Sequence, residues 1–186
     1  MGRRRIMKYS IVKSTHMDFA HFVEGHTGPC INIHGHTWQF ELEIEAEQLN
    51  QVGFVVDFSS LKRILVDVHA LLDHSMAMSE RFYDAVASEL GVVGGAMLGT
   101  RRVEVSQVEP TLRLNGAKSF LSGMDRGIKL AVFPFSPTSE RLAQWLFELA
   151  EHSLDHHENP SARIVRATVY ETLHPVEAKA TYCKSL

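Results

Sequence analysis

The chain has 186 residues, of which 45% are hydrophobic, so it is long enough and apolar enough to bury a substantial core. Its 19 Lys and Arg residues nearly balance its 22 Asp and Glu residues, and the formal net charge is −3. This balance excludes an overall positive charge that would hold nucleic acid, so we expect no nucleic-acid partner.

The cysteine and histidine contents narrow the class of protein further. Two cysteines, Cys30 and Cys183, are too few for a disulfide framework, and the sequence shows neither a secretory leader nor an apolar run of about 18 residues. We therefore expect a cytoplasmic protein that does not associate with membranes. The 11 histidines are unusual, because imidazole is the commonest metal ligand in proteins.

The first two predicted elements are strands. Residues 9–22 lack a helical stripe and predict an extended strand that ends near His21. Residues 34–46 alternate between polar and apolar side chains, and the apolar face consists of Trp38, Phe40, Leu42, Ile44 and Ala46. His34 and His36 extend this apolar row, so both imidazoles are expected to project from the same face of the strand.

A helix is predicted after residues 53–58, with Ser59 or Ser60 as its N-cap. Its apolar residues recur at helical spacing, namely Leu61, Ile64, Leu65, Val68, Leu71 and Leu72. The helix therefore delivers Asp73 and His74 at its C-terminal end.

A second helix begins at residues 137–140, where Thr138 is the expected N-cap and Glu140 lies in the first turn. It is predicted to run to about His152 and to bury Leu142, Trp145, Leu146 and Leu149. Residues 164–172 then alternate as a strand with Val165, Ala167, Val169 and Glu171 on one face, and a short strand follows near residues 178–182. A carboxylate thus ends an apolar row.

The segment between the two helices differs in composition from the rest of the chain. It is expected to be an insertion, over about residues 76–133, in a single domain that spans residues 1–186. It contains several glycines and two candidate strands, at residues 102–105 and 128–133. The glycines do not form a phosphate-binding loop, because they lack the strand–glycine–helix context of such a motif.

The pattern Cys30-x3-His34-Gly35-His36, preceded by His21, is the sharpest chemical signal. Three imidazoles on two adjacent strands can converge on one cation and leave a coordination position open for substrate, as catalytic zinc requires. The alternative is that two histidines two residues apart merely stack on the surface of a strand. Cys30, close to such a cation, is a candidate thiolate, whereas Cys183 has no comparable neighbours in the sequence.

Two further candidates each have a structural alternative. Asp73 and His74 can orient a base or pass a proton, but a histidine at a helix C-terminus also stabilises the helix dipole. Glu171 can recognise a ligand or can be a carboxylate exposed to water at the end of a strand.

The remaining histidines are weaker candidates. His26 could replace a metal ligand, although His21 already occupies the position at the strand end. His152 and the run Asp155-His156-His157-Glu158 could bind a metal, but a polar run between a helix and a strand is more typical of a solvated segment.

Six short motifs together make the chain resemble the family of 6-pyruvoyl-tetrahydropterin synthases and their bacterial relatives, the 6-carboxy-5,6,7,8-tetrahydropterin synthases. The resemblance covers about residues 8–75 and 134–183. Its motifs are Met17-Asp18-Phe19-Ala20-His21, Cys30-x3-His34-Gly35-His36, Gly53-x3-Asp57-Phe58, Leu72-Asp73-His74, Pro137-Thr138-Ser139-Glu140 and Tyr170-Glu171-Thr172.

The resemblance implies a fold and an assembly. The fold would be an α+β T-fold, also called the tunnelling fold, with an antiparallel sheet, two helices on one face and the insertion between those helices. Family members are homo-oligomers, trimers or hexamers, with the active site between subunits. Pairing with neighbouring subunits would also cover the bare edges of the sheet.

The resemblance also implies a role for each site residue. His21, His34 and His36 would hold zinc, Cys30 would be the catalytic base, and Glu171 would bind the pterin. Asp73 and His74 would be the relay that helps Cys30 to move protons.

The implied substrate is 7,8-dihydroneopterin triphosphate. The three-residue gap between Cys30 and His34 is similar to that of the 6-carboxy type, whose members release acetaldehyde and triphosphate on the route to deazaguanine nucleosides such as queuosine. One alternative is a 6-pyruvoyl-tetrahydropterin synthase or another pterin aldolase or cyclohydrolase on the same fold. The other is a non-catalytic module that binds zinc or a pterin.

Overall fold

The structure is a computed structural model that describes residues 8–86, 109–120 and 129–184. Its helices are α1 (Phe58–Leu72), α2 (Glu80–Val86) and α3 (Ser139–Ser153), and a single 3-10 turn spans Pro29–Ile31. Its strands are β1 (Tyr9–His21), β2 (His34–Ala46), β3 (Ser75–Ser79), β4 (Leu112–Leu114), β5 (Ala117–Phe120), β6 (Lys129–Phe133), β7 (Arg163–Thr172) and β8 (Ala178–Cys183).

The long strands β1 and β2 form the centre of the sheet and pair in antiparallel fashion from His21 opposite His34 to Tyr9 opposite Ala46. Along both strands a more buried side chain alternates with a less buried one, as the alternating sequence predicted. Trp38 and Phe40 are fully buried, and the ring of Phe19 stacks on that of Trp38 with centroids 4.5 Å apart. The histidines therefore lie on the same face of the two strands as the hydrophobic core, next to its end.

The sheet has eight strands in the order β4-β5-β6-β3-β1-β2-β7-β8 and is mixed. The α+β class is confirmed, but the expectation of a purely antiparallel sheet is wrong for two pairings, because β3 runs parallel to both β1 and β6. The turn after α1 is hydrogen-bonded to Asp18 of β1, and β3 continues from this turn beside β1.

Helices α1 and α3 share one core with the inner face of the sheet. Thr138 caps α3 as predicted, accepting a hydrogen bond from the Arg141 N–H at 3.4 Å. The predicted cap of α1 is wrong: Asp57 caps the helix, and its carboxylate accepts from the Ser59 N–H at 2.7 Å. In the part of the chain that the structure describes, no helix is both long and apolar enough to cross a membrane.

A bulge in the pairing of β7 with β2 changes which residues of β7 face the core. Ile164 lies opposite Ile44 and is 5% exposed, while Ala167 lies opposite Leu42. The sequence predicted Val165 in this row, but Val165 is only half-buried, because the extra residue of the bulge shifts the alternation there. Beyond the bulge Ala167 and Val169 are buried as predicted.

The inserted segment extends the main sheet. Its strands β3–β6 continue the order outward from β1, and they enclose a second apolar cluster of Phe22, Met78, Phe120, Leu130 and Val132. The strand predicted at residues 128–133 is confirmed as β6, whereas the one predicted at 102–105 lies outside the described residues.

Candidate metal centre and active site

Three histidines converge where β1 ends and β2 begins. His21 is the last residue of β1 and pairs with His34, the first residue of β2, and His36 follows on the same face. The ring centroid of His21 lies 4.6 Å from that of His34 and 5.6 Å from that of His36, and the centroids of His34 and His36 are 5.0 Å apart. Strand register alone therefore brings the three imidazoles into one cluster.

The orientation of the His21 ring is set by the segment that leads into α3. His21 is 1% exposed, and its Nδ1 lies 2.9 Å from the main-chain oxygen of Pro137. A carbonyl oxygen can only accept a hydrogen bond, so Nδ1 carries the hydrogen and Nε2 of the neutral ring keeps its lone pair. Nε2 is thereby prepared to bind a cation.

His34 is oriented in the same way by the loop before β2. Its Nδ1 lies 2.8 Å from the main-chain oxygen of Asn32, which again places the hydrogen on Nδ1 and the lone pair on Nε2. A peptide carbonyl behind a metal-binding imidazole is a common arrangement, because it fixes the ring and its tautomer.

His36 is held in its neutral form by its surroundings. Burial lowers the pKa of His36, and His21 and His34 lower it further, although the carboxylate of Glu171 opposes them. Neutral imidazole is the form that coordinates metals. Among the described residues, the buried Nε2 atoms of both His36 and His21 have no hydrogen-bond partner.

Glu171 belongs to the same cluster. Its Oε1 lies 3.2 Å from Nε2 of His21 and 3.7 Å from Nε2 of His36, and its Oε2 accepts a hydrogen bond from the Ser139 hydroxyl at 3.0 Å. When protonated, the neighbouring His21 and His36 rings lower the pKa of Glu171, and the hydrogen bond from Ser139 acts in the same direction against the effect of burial. The carboxylate is therefore ionised at neutral pH.

The donor set fits a zinc ion. One nitrogen from each of His21, His34 and His36 and one carboxylate oxygen of Glu171 all lie within 4.8 Å of one another. Neutral imidazoles are characteristic zinc ligands, and a cation between the three rings would satisfy the buried nitrogens, with the Glu171 carboxylate beside it.

Cys30 lies in the 3-10 turn of the loop that joins β1 to β2. It is half-buried, and in the described part of the chain both cysteines are free thiols. Its main-chain oxygen accepts a hydrogen bond from the Val23 N–H at 2.8 Å, which ties the two ends of the loop together. Cys30 is not in the group of possible metal ligands found among the described residues, and its role as a base stays a prediction.

Asp73 and His74 contact each other but lie apart from the possible ligands. Asp73 Oδ2 is 2.7 Å from Nδ1 of His74, and Asp73 Oδ1 accepts from the Asp18 N–H at 3.1 Å. Burial alone would raise the pKa of Asp73, but the hydrogen bonds from Asp18 and His74 outweigh it and lower the pKa. The His74 side chain is 81% exposed, and a shallow depression beside Asp18 and Thr37 reaches both His74 and His36.

Sequence reasoning missed the two groups from the start of α3 that hold the cluster in place. The Pro137 carbonyl orients His21, and the Ser139 hydroxyl holds Glu171. Ser139 follows the Thr138 cap and is only 8% exposed. Its one sequence signal is its place in the Pro137-Thr138-Ser139-Glu140 motif.

The other histidines lie elsewhere. Nδ1 of His26 accepts a hydrogen bond from the Gly28 N–H at 2.9 Å, a local contact within the loop. In the described ranges, neither His26 nor the histidines at 152, 156 and 157 belong to a group that could hold a metal ion. Glu158, which was expected in a solvated run, instead binds the start of α1, because its carboxylate accepts from the Asp57 N–H and the Ser60 hydroxyl.

The sequence matches the 6-pyruvoyl tetrahydropterin synthase family over residues 10–182. The chain belongs to this family. It is 29% identical over 147 residues to a 6-carboxy-5,6,7,8-tetrahydropterin synthase of Haemophilus influenzae, in an alignment that covers 77% of this chain and 83% of the relative.

Solved structures show that the fold is the α+β T-fold of this family. A 6-pyruvoyl tetrahydropterin synthase of Caenorhabditis elegans has a TM-score of 0.55 and 18% identity, covering 98% of this chain and 100% of the other. An uncharacterized protein of Wolinella succinogenes has a TM-score of 0.71 and 18% identity, covering 96% of this chain and 99% of the other. As a member of the 6-pyruvoyl tetrahydropterin synthase family, the chain is placed among enzymes that act on pterins.

Proposed function

We propose that this protein is a zinc-dependent lyase that converts 7,8-dihydroneopterin triphosphate and water into 6-carboxy-5,6,7,8-tetrahydropterin, acetaldehyde and triphosphate, on the cytoplasmic route to deazaguanine nucleosides. The observation that carries the proposal is the pair of buried, unpartnered Nε2 atoms of His21 and His36 beside the Glu171 carboxylate. The name of the Haemophilus relative supports the 6-carboxy product.

His21, His34 and His36 would hold the zinc ion, and the carbonyls of Pro137 and Asn32 orient two of these rings. When bound, zinc would supply a Lewis acid that polarises the side-chain oxygens of the substrate and acidifies the neighbouring C–H groups. The hydrogen bonds at Nδ1 prevent the rings from turning, so the site is assembled before substrate arrives.

Cys30 would remove a proton from the substrate side chain. Its position in a turn next to the histidine-bearing strands brings a half-buried thiol to the same end of the sheet. A nearby cation favours the thiolate form, which is the form that accepts a proton.

His74 would exchange protons with Cys30 or the substrate, and Asp73 would orient the His74 ring and stabilise its protonated form. The 2.7 Å contact between Asp73 Oδ2 and His74 Nδ1 supports this relay, because it leaves Nε2 of an exposed ring available for proton transfer.

Glu171 would bind the pterin edge. An ionised carboxylate can accept two parallel hydrogen bonds, from the 2-amino group and the adjacent ring N–H of a pterin. Both its ionisation and the hydrogen bond from Ser139, which fixes one of its oxygens, favour this role.

The proposed assembly is a homo-oligomer, a trimer or a hexamer, with the active site completed between subunits. Strand β8 is an edge strand, and among the described residues β1 pairs with β3 only at Ala20, so most of one side of β1 is uncovered as well. Exposed strand edges favour pairing with other chains. Light scattering of the purified protein, which gives the mass in solution, tests the assembly.

Product analysis tests the proposed reaction most directly. The purified, zinc-loaded protein is incubated with 7,8-dihydroneopterin triphosphate, and the pterin products, acetaldehyde and triphosphate are measured. We expect the 6-carboxy product with equal amounts of acetaldehyde and triphosphate. A 6-pyruvoyl product without acetaldehyde would establish the alternative synthase, and binding of substrate without any product would indicate a non-catalytic module.

A further inference from the structure

The peptide bond between Asp73 and His74 is held in an unusual orientation. Asp73 has φ −58° and ψ 131°, and His74 has φ +58°. Such angles belong to a turn whose second central residue is normally glycine or asparagine, because a larger side chain at positive φ is strained. A rotation of this peptide plane would release His74 from the strained region and point its side chain elsewhere.

Hydrogen bonds at both ends of this peptide oppose that rotation. The His74 N–H donates to the main-chain oxygen of Asp18 at 2.8 Å. The main-chain oxygen of Asp73 accepts from Nζ of Lys129 at 2.7 Å, and the same ammonium also donates to the oxygen of Ala70 at 2.7 Å.

Lys129 reaches this position because β6 pairs with β3. It is the first residue of β6 and lies opposite Ser75, the residue that follows His74. Its half-buried ammonium therefore sits at the C-terminal end of α1, where the last carbonyls lack partners within the helix and a positive charge is favourable.

We propose that Lys129, which belongs to the inserted segment, is a positioning residue that locks the Asp73–His74 peptide and so aims the His74 imidazole at the active site. The inference rests on the proposed function, because it assumes that Asp73 and His74 relay protons. The insertion would then contribute to catalysis, because its strand β6 carries Lys129, which holds Asp73 and His74 in place.

The test compares Lys129→Met with Lys129→Arg and with Lys118→Met as a matched control. Methionine fills a similar space but cannot donate to either carbonyl, whereas arginine can. Lys118 is another lysine of the insertion, and its partner is Glu80 at 2.6 Å, away from the relay. We expect Lys129→Met to lower kcat about 10-fold or more with KM little changed, as for a misplaced catalytic group.

Three comparisons separate positioning from a general loss of structure. Lys129→Arg is expected to recover most of kcat, and Lys118→Met is expected to match the unmodified protein. In a His74→Ala background, Lys129→Met is expected to cause no further loss of kcat, because there is no imidazole left to misplace. Should Lys129→Met fail to fold, Lys129→Leu, which also lacks a donor, replaces it under the same expectations.

The outcomes also separate this inference from the function on which it rests. If His74→Ala keeps full turnover, the proposed relay is wrong, and the role of Lys129 is wrong with it. If His74→Ala loses turnover while Lys129→Met keeps both kcat and KM, only the role of Lys129 is wrong. Loss of kcat in Lys129→Met that is equally large in the His74→Ala background would likewise overturn positioning through His74.

Discussion

Hydrogen positions on the imidazole rings decide whether this cluster can bind a metal. The carbonyls of Pro137 and Asn32 each require a hydrogen on the Nδ1 atom that faces them, in His21 and His34 respectively, so the Nε2 atoms face inward as acceptors. Two peptide carbonyls thus prepare a site for a cation without any charged residue behind the rings.

Cys30 separates metal binding from proton transfer. We expect Cys30→Ala to retain zinc and pterin binding while turnover falls by about 10²-fold or more, because the thiol acts as a base and not as a ligand. Elemental analysis and steady-state kinetics on the same preparation measure both properties. Loss of zinc from this variant would place Cys30 in the coordination sphere instead.

Glu171 separates pterin recognition from a structural role. Glu171→Gln is nearly isosteric but replaces an acceptor by a donor, so one hydrogen bond to the pterin edge becomes a clash of two donors. A charge-assisted hydrogen bond contributes about 1.5–3 kcal/mol, so pterin affinity should fall about 10- to 200-fold.

Zinc content and melting temperature should barely change in Glu171→Gln, because three histidines remain and the carboxylate does not complete the core. Calorimetric titration with a pterin analogue, together with a thermal melt, makes the comparison. Unchanged affinity with a lowered melting temperature would show that Glu171 supports the structure only.

Because His74 has a positive φ, we expect a substitution that favours stability at this position to oppose function. A side chain at positive φ costs about 1 kcal/mol relative to glycine, so His74→Gly should leave the free energy of unfolding unchanged or raise it by up to about 1 kcal/mol, even though the exposed contact with Asp73 is lost. Turnover should be lost at the same time. Urea unfolding measures the first effect, and a clear fall in the free energy of unfolding would contradict the argument.

Secondary-structure elements were predictable where one pattern repeats along one element. Strand β2 begins at His34 and ends at Ala46 as its alternation predicted, and Thr138 caps α3 because few residues can do so at that position. The histidine cluster followed from the same alternation, since residues two apart on a strand share a face.

Features that depend on contacts between distant segments were not predictable. The parallel pairing of β3 and the bulge in β7 depend on how strands meet, and alternation within one strand carries no information about its partner. Likewise, Lys129 reaches the end of α1 because β6 lies beside β3. The cap of α1 is local, but Asp57, Ser59 and Ser60 are all good capping residues, so residue type alone does not choose between them.

The loop that precedes β7 joins two elements through one buried side chain. Asn159 is 4% exposed and donates to the main-chain oxygens of Gln48 and Val55 at 2.8 and 3.0 Å. Asn159→Ala would leave both carbonyls without these partners, so the free energy of unfolding should fall by about 2–4 kcal/mol.

The matched control for Asn159 is His157→Ala, in the same loop but with an exposed side chain, which should change stability by less than about 0.5 kcal/mol. Both variants should keep the zinc site, which is formed by other elements. Chemical denaturation of the two proteins measures the difference, and equal stabilities would show that Asn159 does not join these segments.

On the scale of the whole molecule, the proposed active site and the hydrophobic core lie at different ends of the long strands β1 and β2. The core fills the inner face of β1 and β2 up to Phe19 and Trp38, and the histidines continue the same face beyond it. The insertion packs against this end through β3, beside Phe22 and the turn at Asp73. The insertion is therefore adjacent to the proposed active site.

Zinc content per chain tests the central claim most directly. Elemental analysis of the unmodified protein and of the control His26→Ala should give about one zinc per chain, because His26 does not belong to the metal-binding group found among the described residues. His34→Ala should contain nearly none, because the two remaining histidines form a weak site. Full zinc occupancy in His34→Ala would contradict the assignment of the cluster as the metal centre.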